Sequence, residues 1–288
     1  MSDGLKVVIW DVQHGNAAYI HTPGNKHIVI DLGIGSFKSS DQSFSPLLHL
    51  QKQWGVEQLD GVIITHPHRD HIDDIFNFDK LMPRVLSRPT HLKEADIRAG
   101  NQDADRSIID KYLEINNRYN CPVIPAQNPF EEDNNGGVVF KQFDPSSCAT
   151  SNLNNHSVVT VIAYAGSKII IPGDNEPCSW NELLESEEFL AAIKGTDVFV
   201  APHHGRQSGF SSALFDHIQP RLTIISDGPF CETSSTDLYG QQTTGWTVYK
   251  RAGGKEERKC ITTRNDGVIE VEFGSNSNGK NYLQVTID

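Results

Sequence analysis

Apolar positions along the chain fall into short runs rather than long amphipathic stretches. Leu5-Lys6-Val7-Val8-Ile9-Trp10, Ala17-Ala18-Tyr19-Ile20-His21-Thr22 and His27-Ile28-Val29-Ile30-Asp31 are rich in β-branched and aromatic residues. The turn-forming stretches Asp11 to Asn16 and Pro23-Gly24-Asn25-Lys26 separate them, so the pattern predicts an opening meander of three strands. Gly61-Val62-Ile63-Ile64-Thr65 reads as a buried fourth strand. The same signal predicts strands over 138–143, 158–164, 168–172, 197–201 and 221–226. Runs at 260–263, 267–273 and 282–287 read as closing strands of a second sheet.

Helices punctuate this pattern. Ser45 and Pro46 open one over 47–54 as N-cap and first-turn proline, and Gly55 ends it. Acids in the first turn mark another start over Asp70 to Phe76. Ile108, Ile109, Tyr112, Leu113 and Ile115 repeat at helical spacing within 103–119. Ser179 with Glu182 has the capping-box spacing and predicts a helix to about Lys194, stopped by Gly195. Ser211 to Ile218 is a short helix. Residues 33–44 and 126–137 read as polar loops, and 79–100 shows no clear period.

Composition narrows the class. A chain of 288 residues with 37% hydrophobic and 22% charged content has the make-up of a water-soluble globular protein. No apolar run reaches the roughly 18 to 20 residues that span a bilayer, and the start, MSDGLKVVIWDV, enters a strand at once. The expectation is therefore a cytoplasmic protein without a membrane span. A net charge of −12 argues against a broad basic face for duplex nucleic acid. Bound metal ions would still supply positive charge locally. Cys121, Cys148, Cys178, Cys231 and Cys260 are widely spaced with no CxxC, so disulfides are not expected.

The candidate chemistry lies at strand ends. His66, His68, Asp70 and His71 lie within six consecutive positions between the fourth strand and the following helix start. There the backbone stops alternating and neighbouring side chains can converge. His156 precedes the strand 158–164, Asp174 follows 168–172, and His203-His204-Gly205 follows 197–201. Half of the 12 histidines lie in these motifs. Imidazole and carboxylate are the usual ligands of zinc.

His-x-His-x-Asp-His after a buried strand resembles the signature of the metallo-β-lactamase superfamily. Other features resemble the hydrolase domain of ComEC-type DNA-uptake proteins. These are the turn DVQHGNA, the strand ending in Asp31-Leu32-Gly33, Asn-His-Ser ahead of a hairpin ending in Gly-Asp, and His-His-Gly. His14 stands where that family has Gln, and Asn16 where it has Asp. The family's Asn-x-x-x-His-Pro segment is replaced by CETSSTDLYGQQTTGW, where Thr233, Ser235 and Thr236 offer hydroxyls instead. The resemblance runs from about 5 to 273 and is weakest over 79–135, an insertion or cap within one domain, 1–288.

The resemblance implies an α+β fold, a four-layer αββα sandwich holding two divalent metal ions, zinc or manganese. His66, His68 and His156 would hold the first. Asp70, His71 and one of His203 or His204 would hold the second, with His204 favoured because it precedes Gly205. Asp174 would bridge them. Asp31 would orient the metal loop, and His14 would be a substrate contact or a turn residue. Asp70, His71 and His203 would act in catalysis. The implied activity is that of a metal-dependent phosphodiesterase or nuclease, in which a hydroxide shared by the two metals attacks phosphorus. The alternative is hydrolysis of a small carboxylic ester, lactone or thioester. The implied partner is nucleic acid or another phosphodiester; a protein partner or a homodimer stays open.

Overall fold

The computed structural model describes residues 4–34, 44–228 and 234–288. Most of the loop expected over 33–44 lies outside them, as does Thr233.

Five strands lead the chain: β1 (Leu5–Ile9), β2 (Ala18–His21), β3 (His27–Ile30), β4 (Gly61–Ile63) and β5 (Val85–Ser87). Five more follow: β6 (Val139–Phe143), β7 (Val159–Tyr164), β8 (Ser167–Ile171), β9 (Val198–Val200) and β10 (Leu222–Ile225). The last five are β11 (Trp246–Lys250), β12 (Lys255–Arg258), β13 (Cys260–Thr262), β14 (Ile269–Ser275) and β15 (Asn281–Ile287). They form a nine-stranded sheet, β12-β11-β15-β14-β1-β2-β3-β4-β5, and a six-stranded sheet, β13-β10-β9-β8-β7-β6.

The central strands are apolar on both faces because both faces are covered there, whereas edge strands such as β12 are not. Leu5, Val7 and Ile9 of β1 meet Ile162, Ile169, Val198 and Ile224 of the other sheet in the central core. Val8 and Trp10 point the opposite way, toward Leu47, Leu50, Phe78, Ile109 and Tyr112 of the outer helices. On the far side Val161, Ile170 and Phe199 pack against Trp180, Leu183, Phe189 and Ile193. This is the four-layer αββα sandwich, with alternate strand positions serving successive layers.

Several details differ from the sequence expectation. Only β13 of the closing strands joins the six-stranded sheet. β14 returns to pair antiparallel with β1, and β15 pairs with β14. Alternation within a strand shows which faces are buried but not which neighbour it pairs with. The single helix expected over 179–194 is two, Pro177–Leu184 and Glu187–Ile193. Ser186 caps the second by accepting from Phe189 N. Ser179 instead lies inside the first helix and donates to Asn155 Oδ1 at 3.0 Å. Glu182 accepts from the backbone of Ser146 and Ser147 rather than closing a capping box. The helix expected from Asp70 is one α-turn, Arg69–Ile72, continued as a 3₁₀ stretch over Asp73–Lys80. Cys148 and Cys178 form a disulfide, contrary to the reading of the cysteines as unpaired. Linear spacing does not reveal which cysteines meet.

Candidate metal centre

The metal loop begins where β4 ends. Asp31, just after the neighbouring β3, is fully buried and holds a left-handed backbone at φ 60°. Its carboxylate accepts from Thr65 N at 2.7 Å, Thr65 Oγ1 at 2.8 Å and Asn16 Nδ2 at 2.9 Å. It also lies 2.7 Å from His71 Nδ1. Since a carboxylate can only accept, His71 Nδ1 carries the proton and Nε2 faces the opposite way.

On that far side a group closes. Ligand atoms of Asp70, His71, Asp174 and His204 all lie within 4.8 Å of one another, an arrangement able to hold a metal ion. His71 Nε2 is 3.1 Å from Asp174 Oδ1, and His204 Nε2 is 3.2 Å from Asp70 Oδ2. His204 Nδ1 donates to Ser226 O at 3.0 Å, which also turns its Nε2 inward. The Nε2 atoms of His71, His156 and His204 are buried, and none has an aligned hydrogen-bond partner. Buried polar nitrogens are normally satisfied, so these orphans, with the carboxylates between them, fit a divalent cation. A mixed imidazole and carboxylate set suits zinc or manganese.

Three elements are drawn together by tight packing. Gly173, at φ 62°, sits where an added Cβ would fall 2.7 Å from Thr65 Cβ and 2.8 Å from Ser157 Cβ. Asp174 N donates to Ser157 Oγ, and Ser157 Oγ lies 3.1 Å from His66 Nδ1. The ends of β4 and β8 and the approach to β7 therefore converge at one rim. His203 and His204 after β9 hold consecutive left-handed conformations, φ 51° and 53°. Each costs of order 1–3 kcal/mol, strain that clusters at functional sites.

Electrostatics bind the group in its metal-free form. Burial opposes charge on His71, but Asp174 and Asp31 outweigh it and hold its pKa well above the ordinary histidine range. Burial likewise opposes charge on His204, yet Asp174 and Asp70 lift it to about 9. Burial favours the neutral acids, but His204 and His71 hold both Asp70 and Asp174 well below the usual carboxylate range. Protons on the histidines thus stand in for cations.

The other expected ligands lie beside this group. His66 Nε2 and His68 Nδ1 approach to 2.9 Å. His156 is fully buried and its Nδ1 meets His91 Nε2 at 2.9 Å. His66, His68 and His156 are not members of the four-residue group. Of the adjacent pair, His204 enters the group, whereas His203 turns to Glu176 Oε1 at 3.1 Å and Ser208 Oγ at 2.9 Å. His14 is buried, 3.4 Å from Asp70 Oδ2, with its ring 4.3 Å from that of His204. Burial first, then the charge on His204, press its pKa down to about 3. Ser235 is placed near the motif through its backbone, which donates to Gly205 O at 2.7 Å.

The family model for the metallo-beta-lactamase superfamily matches residues 10–208, which carry the whole group. The chain belongs to the metallo-beta-lactamase superfamily. Within the superfamily it is 22% identical over 246 residues to ComE operon protein 3 of Bacillus subtilis (strain 168). That similarity covers 79% of this chain and 29% of the relative. It is 23% identical over 226 residues to competence protein ComA of Neisseria gonorrhoeae, covering 77% of this chain and 27% of that protein. The chain thus spans under a third of the length of these relatives. Among solved structures, a diphosphatase from the PhnP family matches 91% of this chain and 96% of its own at 10% identity, with a TM-score of 0.41.

For a superfamily metallohydrolase, substrate must reach the metal group from outside. A cavity of about 590 Å³ opens beside Asp70, lined in part by His14, His68, Arg69, Asn101 and Gln102. Sequence reasoning missed Asn101, Gln102, Glu176 and His91. None belongs to a recognisable motif; Glu176 follows Asp174 by two residues, while His91, Asn101 and Gln102 come from the segment after β5.

Proposed function

We propose that this superfamily metal-dependent hydrolase is a phosphodiesterase or nuclease. The observation that carries the choice is the similarity over most of the chain to a competence protein and to ComE operon protein 3. In this reading His66, His68 and His156 hold one divalent ion, zinc or manganese. Asp70, His71 and His204 would hold the other, with Asp174 available as a ligand to both. Such ions generate a nucleophile from water at neutral pH and neutralise charge on a transferring phosphoryl group.

The chain's own residues do the rest. Asp31 fixes the His71 tautomer and, through Thr65, the start of the metal loop. His14, held neutral beside Asp70, meets substrate entering from the cavity. His203, set by Glu176 and Ser208, supports the opposite rim. At about 590 Å³ the cavity is in the range that holds a small organic group such as a nucleotide.

The second reading, hydrolysis of a small ester, lactone or thioester, draws support from the acidic balance. The net charge is −12, and Asp73 and Asp105 lie on the cavity wall. A substrate panel separates the two readings. Single-stranded and duplex DNA, RNA, bis-p-nitrophenyl phosphate, a lactone and a thioester are each supplied with zinc and with manganese. Cleavage of phosphodiesters by wild type and not by Asp70→Ala supports the proposal. Turnover confined to the lactone or thioester refutes it.

A further inference from the structure

We propose that His91 is a positioning residue: with Asp144 it locks His156 into the tautomer that leaves the lone pair on its buried, unpartnered Nε2, ready to ligate. The inference rests on the reading of His156 as a metal ligand. His91 Nδ1 lies 3.3 Å from Asp144 Oδ2, and His91 Nε2 lies 2.9 Å from His156 Nδ1. The proton positions follow from what each group can do. An ionised carboxylate only accepts, so the proton of a neutral His91 sits on Nδ1 and its Nε2 is an acceptor. His156 Nδ1 must then donate to it. That leaves His156 Nε2 without a proton, and this is the buried atom with no hydrogen-bond partner. A neutral imidazole so held is ready to ligate, and an outer partner of this kind also raises the basicity of the ligand.

The fold explains how three residues so far apart in sequence meet. β5 is the edge strand of the nine-stranded sheet and β6 that of the six-stranded sheet. Ser87, the last residue of β5, donates through Oγ to Gln142 Oε1 of β6, stitching the two edges together. His91 lies four residues beyond β5 and Asp144 directly follows β6. His156 ends the 3₁₀ turn Leu153–His156 ahead of β7, the partner of β6. The chain Asp144–His91–His156 therefore runs across the mouth of the sandwich, and neither His91 nor Asp144 belongs to the four-residue metal group.

The test is metal binding to the whole chain, read by competition with a chromogenic zinc chelator, with metal-free folding followed by circular dichroism. His91→Ala is expected to keep its fold and to bind one of its two zinc ions, the one His156 would hold, about 10- to 100-fold more weakly. His91→Gln, whose side-chain carbonyl can accept from His156 Nδ1, is expected to recover most of that loss. His156→Ala should lose the site outright. A His91→Ala protein that titrates like wild type overturns the proposal. A His91→Gln protein as poor as His156→Ala also overturns it, since His91 would then be a ligand itself. If His156→Ala keeps both metals, the ligand reading fails, whatever His91 does. Nitrogen-15 spectra of unsubstituted metal-free protein give a result independent of any variant's folding. The Nδ1–H tautomer is expected for both histidines, and Nε2–H at His156 would refute the proposal.

Discussion

Asp31 shows how much one buried side chain decides. It serves the backbone of Thr65, the hydroxyl of Thr65, the amide of Asn16 and the ring of His71 at once. Replacing it with Ala strands several buried donors, which are costly to leave unpaired. Asp31→Ala is expected to lose about 3–5 kcal/mol of stability, measured by urea unfolding of the metal-free protein. The two histidines of the four-residue group carry a pH prediction. In the metal-free protein the pKa of His204 is raised to about 9, so its proton is bound at pH 7. His71 is raised in the same direction. A metal must displace these protons, so its affinity falls with acid and rises as pH climbs from 7 toward about 9. Calorimetry in buffers of different ionisation enthalpy should show proton release on zinc binding at pH 7. Release of none would show that the histidines are neutral before metal arrives.

At the scale of elements, the rim of the sandwich is held by close backbone approach and by one covalent tie. Gly173→Ala would set a Cβ against Thr65 and Ser157 at a left-handed φ. The conformation alone costs roughly 1–2 kcal/mol, and the contact adds to it, so both thermal stability and metal content should drop. A variant with unchanged metal stoichiometry and melting would show that the three strand ends tolerate spreading. The Cys148–Cys178 bond closes a 30-residue separation that contains His156 and Asp174. Its removal in the double variant Cys148→Ser/Cys178→Ser is expected to cost about 2–4 kcal/mol, visible as a lower melting temperature than that of the oxidised protein. Equal melting of the two would mean that the loop is ordered by packing alone.

Across the whole molecule, charge and metal act together. Two carboxylates and their histidines are gathered inside a chain of net charge −12. Divalent ions that displace the histidine protons and bind the folded form alone would stabilise it. Zinc or manganese at a hundredfold excess over Kd should therefore add about 2.7 kcal/mol per site. The melting temperature should rise with metal and fall back on chelation. No helix among the described residues is long and apolar enough to cross a membrane.

What the sequence determined by itself is local. Short runs of β-branched residues located β1 to β4 and β6 to β10, because burial on both faces leaves an apolar imprint within five or six residues. Ser45, Pro46 and Gly55 marked a helix, because capping is a contact between near neighbours. The motif residues at strand ends were legible for the same reason: His66, His68, Asp70 and His71 lie within one turn of chain. Weakly apolar or charged strands such as β12, Lys255–Arg258, left no such imprint. What only the tertiary structure decided is pairing between distant segments. It returned β14 to β1, joined Cys148 to Cys178, and placed His204, the member of the pair favoured from sequence, in the four-residue group. It also brought His91 and Asp144 to His156 from the edges of two different sheets. Each of these depends on where a sheet places its edge or how a strand end turns, and that geometry is set by the packing of four layers rather than by any short stretch of residues.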